Sequence, residues 1–214
     1  MIALVDYGSG NIRSVHKALL AVGAEVTVVK HPEDLSSDDR GMVLPGVGAF
    51  DDCVSALQRQ GLWPVIEQHI QSGGYFLGIC VGYQALFESS DEFDSGAAGL
   101  GVFDGRVIRF PDTPGLKVPQ IGWNQLEVSQ PNCPLFEGVR EGSYAYFVHS
   151  YHPEPADSSI VVSYTDYGRR FASAVWRGHV FATQFHPEKS QAVGLKIMRN
   201  FVDLVNKETR LTDR

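Results

Sequence analysis

Three residues have the types and spacing for covalent acyl chemistry: Cys80, His186 and Glu188. Cys80 lies in Gly78-Ile79-Cys80-Val81-Gly82, a glycine-flanked strand-to-helix turn of the nucleophile-elbow kind. Such a sharp turn presents a side chain only where small residues two positions to either side leave room. A helix beginning after Cys80 would aim backbone amides at its sulfur and favour the thiolate. Glycines after a buried strand also serve close packing, so the pentapeptide by itself leaves an inert buried thiol open. Gln84, four residues on, shares the helical face of Cys80 and either contacts a polar substrate or closes part of the pocket.

The base is His186, in Phe185-His186-Pro187-Glu188. Proline disfavours α geometry in the residue before it and keeps His186 extended. Residues i and i+2 of an extended chain point the same way, which brings Glu188 to the imidazole. A neutral imidazole oriented by a carboxylate takes a thiol proton and returns it to a leaving group. His149 and His152 sit at the end of an expected strand, in structural or rim roles, and His16, His31, His69 and His179 read as surface or partly buried. No spacing among His149, His152 and His186 and no cysteine cluster supports zinc, so neither metal nor cofactor is expected. Cys53 shares a helical face with Phe50 and Leu57 and reads as a small buried hydrophobe, while Cys133 lies in a loop beside Pro134.

A fold has to bring positions 80 and 186 together. Residues 2–5 read as a buried strand, 11–22 as an amphipathic helix capped by Asn11, and 25–29 as a strand. That strand, helix, strand unit implies a parallel sheet. Strands at 42–44 and 75–79 and helices at 50–60, 62–71 and 81–87 continue the pattern, with Pro45-Gly46-Val47-Gly48 as a tight turn. The second half changes character. Stretches 106–110, 122–128, 144–151, 160–164, 171–176 and 180–185 favour strands, and the short connections between several of them imply antiparallel pairing. A last amphipathic helix covers 193–205. With no linker or repeat, one domain over 1–207 and a tail at 208–214 are expected.

The 214 residues suffice for a core without disulfide or metal staples. A net charge of -7 disfavours non-specific attraction to nucleic acid or anionic membrane. No basic leader opens the chain, and no apolar run approaches the roughly 20 residues that cross a bilayer. Three cysteines with no CxxC pair fit a reducing compartment, so cytoplasmic residence is expected.

Taken with Asp6-Tyr7-Gly8-Ser9-Gly10-Asn11, Leu44-Pro45-Gly46-Val47-Gly48-Ala49-Phe50, Gly122-Trp123-Asn124 and His186-Pro187-Glu188-Lys189-Ser190, the elbow makes the chain resemble the class I, triad-type glutamine amidotransferases. Within that family it is similar to the glutaminase subunits of imidazole glycerol phosphate synthases of histidine biosynthesis. The resemblance, which runs from Asp6 to the final helix, implies an α/β, flavodoxin-like fold: a mainly parallel central sheet flanked by helices, with antiparallel strands in the second half. It implies Cys80, His186 and Glu188 as the triad, Val47, Gly48 and the amide of Val81 as the oxyanion hole, and Gly46 and Gln84 at the substrate. Glutamine would lose ammonia to a separate cyclase subunit with a (β/α)8 barrel. The two would form a heterodimer yielding imidazole glycerol phosphate and an aminoimidazole carboxamide ribotide.

The face toward that partner would hold Gln120, Trp123 and Asn124, with Asn11, Arg13 and Lys189 as polar contacts. A buried Trp123 stays open. Two residues depart from the family pattern: Tyr83 stands where many members carry methionine, and Gln120 where histidine is common. Gly8-Ser9-Gly10 lacks a full GxGxxG, with Arg13 in place of the third glycine, so no dinucleotide site is expected. The alternatives are sister amidotransferases of anthranilate, guanylate or pyridoxal phosphate synthesis, a γ-glutamyl hydrolase of the same fold, and a regulatory subunit that only binds a partner. The last is disfavoured by an intact Cys80, His186 and Glu188.

Overall fold

The computed structural model describes the backbone of residues 1–212 and the side chains as far as residue 207. β1 (Ile2–Val5) is a run of four buried apolar residues, as expected of a strand covered on both faces. α1 (Ile12–Ala21) turns Val15, Ala18 and Leu19 inward. Asn11 precedes α1 but does not cap it: its φ of -87° and ψ of 54° are not the extended capping geometry, and its side chain makes no cap bond. β2 (Val26–Val29) and β3 (Gly41–Gly46) pair in parallel on either side of β1. α2 (Phe50–Arg59) and α3 (Leu62–Gln71) pack together and lead to β4 (Tyr75–Cys80).

α4 (Val81–Gln84) is a single turn, shorter than the helix expected over 81–87. The amides of Leu86 and Phe87 bond three residues back, to the carbonyls of Tyr83 and Gln84, where a continuing α-helix would bond four back. Beyond it come β5 (Ser89–Ser90), β6 (Gly105–Arg109), β7 (Gln120–Gln125), β8 (Glu127–Val128), β9 (Tyr144–His149), β10 (Tyr151–Pro155), β11 (Val161–Asp166), β12 (Arg170–Arg177) and β13 (Val180–Thr183). The strand expected over 144–151 breaks at Ser150, because β9 pairs with β7 while β10 pairs with β6. The one expected over 122–128 is interrupted at the buried Leu126.

Eight strands form the central sheet, in the order β2-β1-β3-β4-β13-β12-β11-β8. The second half is not wholly antiparallel: β13 runs antiparallel to β12 but parallel to β4. One strand thus stitches the two halves into a single sheet. The last helix, α5 (Gln191–Thr212), buries Ile197, Phe201 and Val205 and packs against α1 and β4. It passes through the boundary expected at residue 207, and residues 213–214 of the expected tail lie outside the described residues. Among the described residues no helix is long and apolar enough to cross a membrane.

Candidate active site

The ladder between β3 and β4 sets Gly46 beside Cys80. Cys80 has φ 55° and ψ -107°, a conformation that costs a residue with a Cβ roughly 1–3 kcal/mol. The surrounding chain enforces it. A Cβ on Gly82 would come within 1.9 Å of the Leu44 carbonyl oxygen, and one on Gly78 within 2.6 Å of the Gly82 carbonyl oxygen. A Cβ on Gly46 would lie 2.8 Å from both the Tyr7 hydroxyl and Val81 Cβ. The glycines therefore mark close backbone crossings beneath the thiol, and Gly46 lies behind the surface of the site.

The base arrives on the neighbouring strand. β13 sets Thr183 beside Ile79 of β4, and three residues later the chain reaches His186. His186 is extended, but Pro187–Lys189 forms a 3-10 turn, so Glu188 reaches the ring by turning back and not along a strand. Glu188 Oε1 lies 2.9 Å from His186 Nδ1, and the two side chains are only 1% and 2% exposed. Nδ1 donates, which leaves Nε2 for chemistry; this atom is buried without an aligned hydrogen bond among the described residues. Burial opposes a charge on the ring, yet the Cys80 sulfur and the Glu188 carboxylate outweigh it and raise His186 to about 10. The resting His186 ring is thus better described as imidazolium than as the neutral imidazole expected from sequence.

Polar groups hold the pair in place. Gln184 Nε2 donates to Cys80 Sγ at 3.7 Å, and Gln84 Nε2 donates to the Tyr151 carbonyl at 3.0 Å and to Gln184 Oε1 at 3.3 Å. The His186 amide donates to the Tyr146 carbonyl at 2.9 Å. Ser190 closes the loop: its Oγ donates to the His186 carbonyl at 2.7 Å and accepts the Tyr146 amide at 3.0 Å.

Cys80 opens into a cavity of about 400 Å³. That volume is at the small end for ligand sites and fits an amino acid. Val47, Gly48, Val81 and Gln84 line it, and so do Glu92, His149, Tyr151 and Lys189. Gly48 has φ +90°, a value glycine accepts freely, and the Ser9 hydroxyl donates to the Val47 carbonyl at 3.1 Å. Burial raises the Glu92 carboxyl; the Phe50 amide works against this, and Asp51 and Asp52 add to it. His149 is pushed down to about 3 by burial and stays neutral, its Nδ1 donating to the Tyr151 carbonyl at 2.8 Å.

Beside the cavity mouth, β7 and β9 form a two-stranded ribbon outside the central sheet. Trp123 is 43% exposed on it, in edge contact with Tyr146 at 5.8 Å, and Ile121 and Tyr144 are more exposed still. Gln120 does not face outward. Side chains alternate along a strand, so Gln120 points inward where Ile121 and Trp123 point outward; it is fully buried and donates to Asn124 at 2.8 Å. A direct surface role for Gln120 is thereby corrected. Asn124 and Asn11 are half-buried, and Arg13 is exposed on α1, which packs against the Pro187–Lys189 turn. Lys189 is exposed with its Nζ 5.8 Å from the Tyr146 ring.

Comparison with known proteins agrees with this geometry. Residues 3–204 match the family model for "Glutamine amidotransferase class-I". The chain is 49% identical over 209 residues to "Imidazole glycerol phosphate synthase subunit HisH" of Syntrophotalea carbinolica, covering 95% of this chain and 100% of that one. It is 48% identical over 198 residues to the protein of the same name from Aquifex aeolicus, covering 92% and 94%. Among solved structures, "Crystal structure of glutamine amidotransferase" superposes with a TM-score of 0.74 at 21% identity, covering 96% of this chain and 100% of that one. "Structure of PurLQS from Thermotoga maritima" gives 0.72 at 20% identity, covering 97% and 98%. These two show the fold, a flavodoxin-like mixed sheet with flanking helices, and the sequence relatives show the lineage. The chain belongs to the class-I glutamine amidotransferases, within the HisH subunits of imidazole glycerol phosphate synthase.

Proposed function

We propose that Cys80, His186 and Glu188 carry the hydrolysis by which this amidotransferase releases ammonia from glutamine, with residues 1–207 acting as one catalytic domain. The Cys80 thiolate adds to the side-chain carboxamide carbon and forms a tetrahedral oxyanion. The His186 imidazolium gives its proton to the nitrogen, the C–N bond breaks, and ammonia leaves a glutamyl thioester. Water, deprotonated by His186, then adds to the thioester; the C–S bond breaks, glutamate departs and the thiolate returns. The amide of Val81 and the Val47–Gly48 loop stabilise the oxyanion, and losing one such donor costs on the order of 3 kcal/mol. Gln84 faces the polar part of glutamine. Glu92 meets its ammonium group, since among the described residues it is the one acidic side chain that lines the cavity.

The ammonia goes to a cyclase subunit with a (β/α)8 barrel, which makes imidazole glycerol phosphate and an aminoimidazole carboxamide ribotide in histidine biosynthesis. We place that partner on the β7–β9 ribbon, with Trp123 as the apolar anchor and Arg13, Asn11, Asn124 and Lys189 around it. The observation that carries the proposal is the strained Cys80 beside the buried His186–Glu188 pair at one amino-acid-sized cavity. The test is glutamine hydrolysis with and without the cyclase and its acceptor substrate. Cys80→Ala should abolish turnover in the full complex, and retained turnover would sink the mechanism.

A further inference from the structure

Glu92 is held in the cavity wall by an unusual route. It begins a short 3-10 turn, Glu92–Asp94, in which Phe93 and Asp94 have φ 50° and 54°. Two consecutive left-handed residues other than glycine each cost about 1 kcal/mol or more, so something must impose the shape. Apolar packing does not: Phe93 is 81% exposed. Two polar ties do, and both land on the first turn of α2. Glu92 Oε2 accepts the Phe50 amide at 2.8 Å, and the Ser95 hydroxyl donates to Asp51 Oδ1. Within the turn, Ser90 Oγ accepts the Glu92 amide at 3.1 Å and Ser95 Oγ accepts the Ala97 amide at 3.2 Å.

The Phe50 bond uses one oxygen of Glu92 and leaves Oε1 without a hydrogen bond among the described residues, on a side chain that lines the cavity. Asp51 and Asp52 both press electrostatically on Glu92, an unfavourable placement for a carboxylate unless the geometry serves a cation. The start of α2 also follows directly on Val47, Gly48 and Ala49. The turn bearing Glu92 and the loop facing the nucleophile are therefore fastened to the same point.

We propose that Asp51 and Ser95 are positioning residues for substrate recognition: their hydrogen bond holds the 92–95 turn so that the free oxygen of Glu92 meets the ammonium group of glutamine. The proposal rests on the reading that Glu92 binds that group. An acidic residue in the first turn of α2 also favours the helix dipole, but that role needs no hydroxyl at position 95. Loss of the tether weakens glutamine binding and leaves the thiol as reactive as before.

The experiment uses the full chain in complex with its cyclase and acceptor substrate, comparing the native protein with Ser95→Ala, Asp51→Ala, Ser95→Thr, Glu92→Gln and the Glu92→Gln, Ser95→Ala double variant. Glutamine KM and kcat are measured, together with the rate at which iodoacetamide, which carries no ammonium group, alkylates Cys80. Ser95→Ala and Asp51→Ala, which remove the donor and the acceptor respectively, should each raise KM about 3- to 10-fold, the loss of one hydrogen bond, with kcat and alkylation within about twofold. Ser95→Thr should restore the native KM, and the double variant should match Glu92→Gln alone. An unchanged KM in Ser95→Ala overturns the tether, as does a double variant in which the two effects multiply. A fall in kcat and alkylation alongside KM assigns the residues to folding and also overturns it. An unchanged KM in Glu92→Gln strikes down the Glu92 reading itself, whatever Ser95→Ala does.

Discussion

A proton on His186 Nδ1, held toward Glu188 at 2.9 Å, decides which nitrogen faces the reacting sulfur. The carboxylate also helps keep the ring charged, because burial alone would drive it neutral. Glu188→Gln removes that charge while preserving the shape, so the imidazolium loses part of its support. We expect kcat for glutamine to fall about 100-fold or more, with KM little changed, measured in the complex under saturating acceptor. The thiol was readable in the sequence because glycines at 78 and 82 announce a crowded turn, in which a Cβ at either position would strike the Gly82 or the Leu44 carbonyl oxygen. Glu92 and Gln184 were not readable. Each is a lone polar residue whose role depends on a chain segment distant in sequence: α2 for one, β4 for the other.

At the scale of elements, the β7–β9 ribbon joins the outer face to the base. Trp123 and Tyr146 are opposite one another in the ribbon, and the Tyr146 carbonyl takes the His186 amide. Trp123→Ala should weaken association with the cyclase by about 2 kcal/mol or more, as for a central aromatic anchor. It should lower coupled glutamine turnover accordingly while leaving thermal unfolding of the free subunit nearly unchanged; calorimetric titration and a melting curve measure the two effects. The helices and parallel strands of the first half were legible because their apolar periodicity is strong. The second half was legible as strands but not as pairings. Ser150 divides β9 from β10 without a glycine or proline to mark the break, and the inward turn of Gln120 follows from ribbon alternation, which a family resemblance does not reveal.

For the molecule as a whole, two buried histidines make acid a denaturant. His149 and His152 are driven down from the ordinary 6.5 to about 3 and about 4, burial being the main cause in both. Between those values and 6.5 the unfolded chain binds protons that the folded chain refuses, so stability rises with pH there. Their contribution is complete above about pH 6.5 and is lost as pH falls toward 4, at up to about 1.4 kcal/mol per pH unit for each ring. His186, shifted upward, acts in the opposite sense and only above that range. Denaturant unfolding between pH 4.5 and 7 should show this slope. It should flatten in His152→Asn, whose amide nitrogen replaces the Nδ1 that donates to the Pro153 carbonyl at 3.1 Å.

The parallel ladder between β4 and β13 carries a consequence for how such a chain can change. Nucleophile and base are far apart along the sequence, yet Cys80 ends β4 and His186 follows three residues after its hydrogen-bonded neighbour β13. Their separation is fixed by strand register, and a slip of one residue would shift the base by about 3.3 Å and turn its strand's side chains to the opposite face. The length of the intervening chain does not enter. Loops between residues 84 and 180 that touch neither the cavity nor Tyr146 are thus free to lengthen, shorten or acquire a new partner without moving Cys80 or His186, while a single insertion in either of the two short strands would end the chemistry.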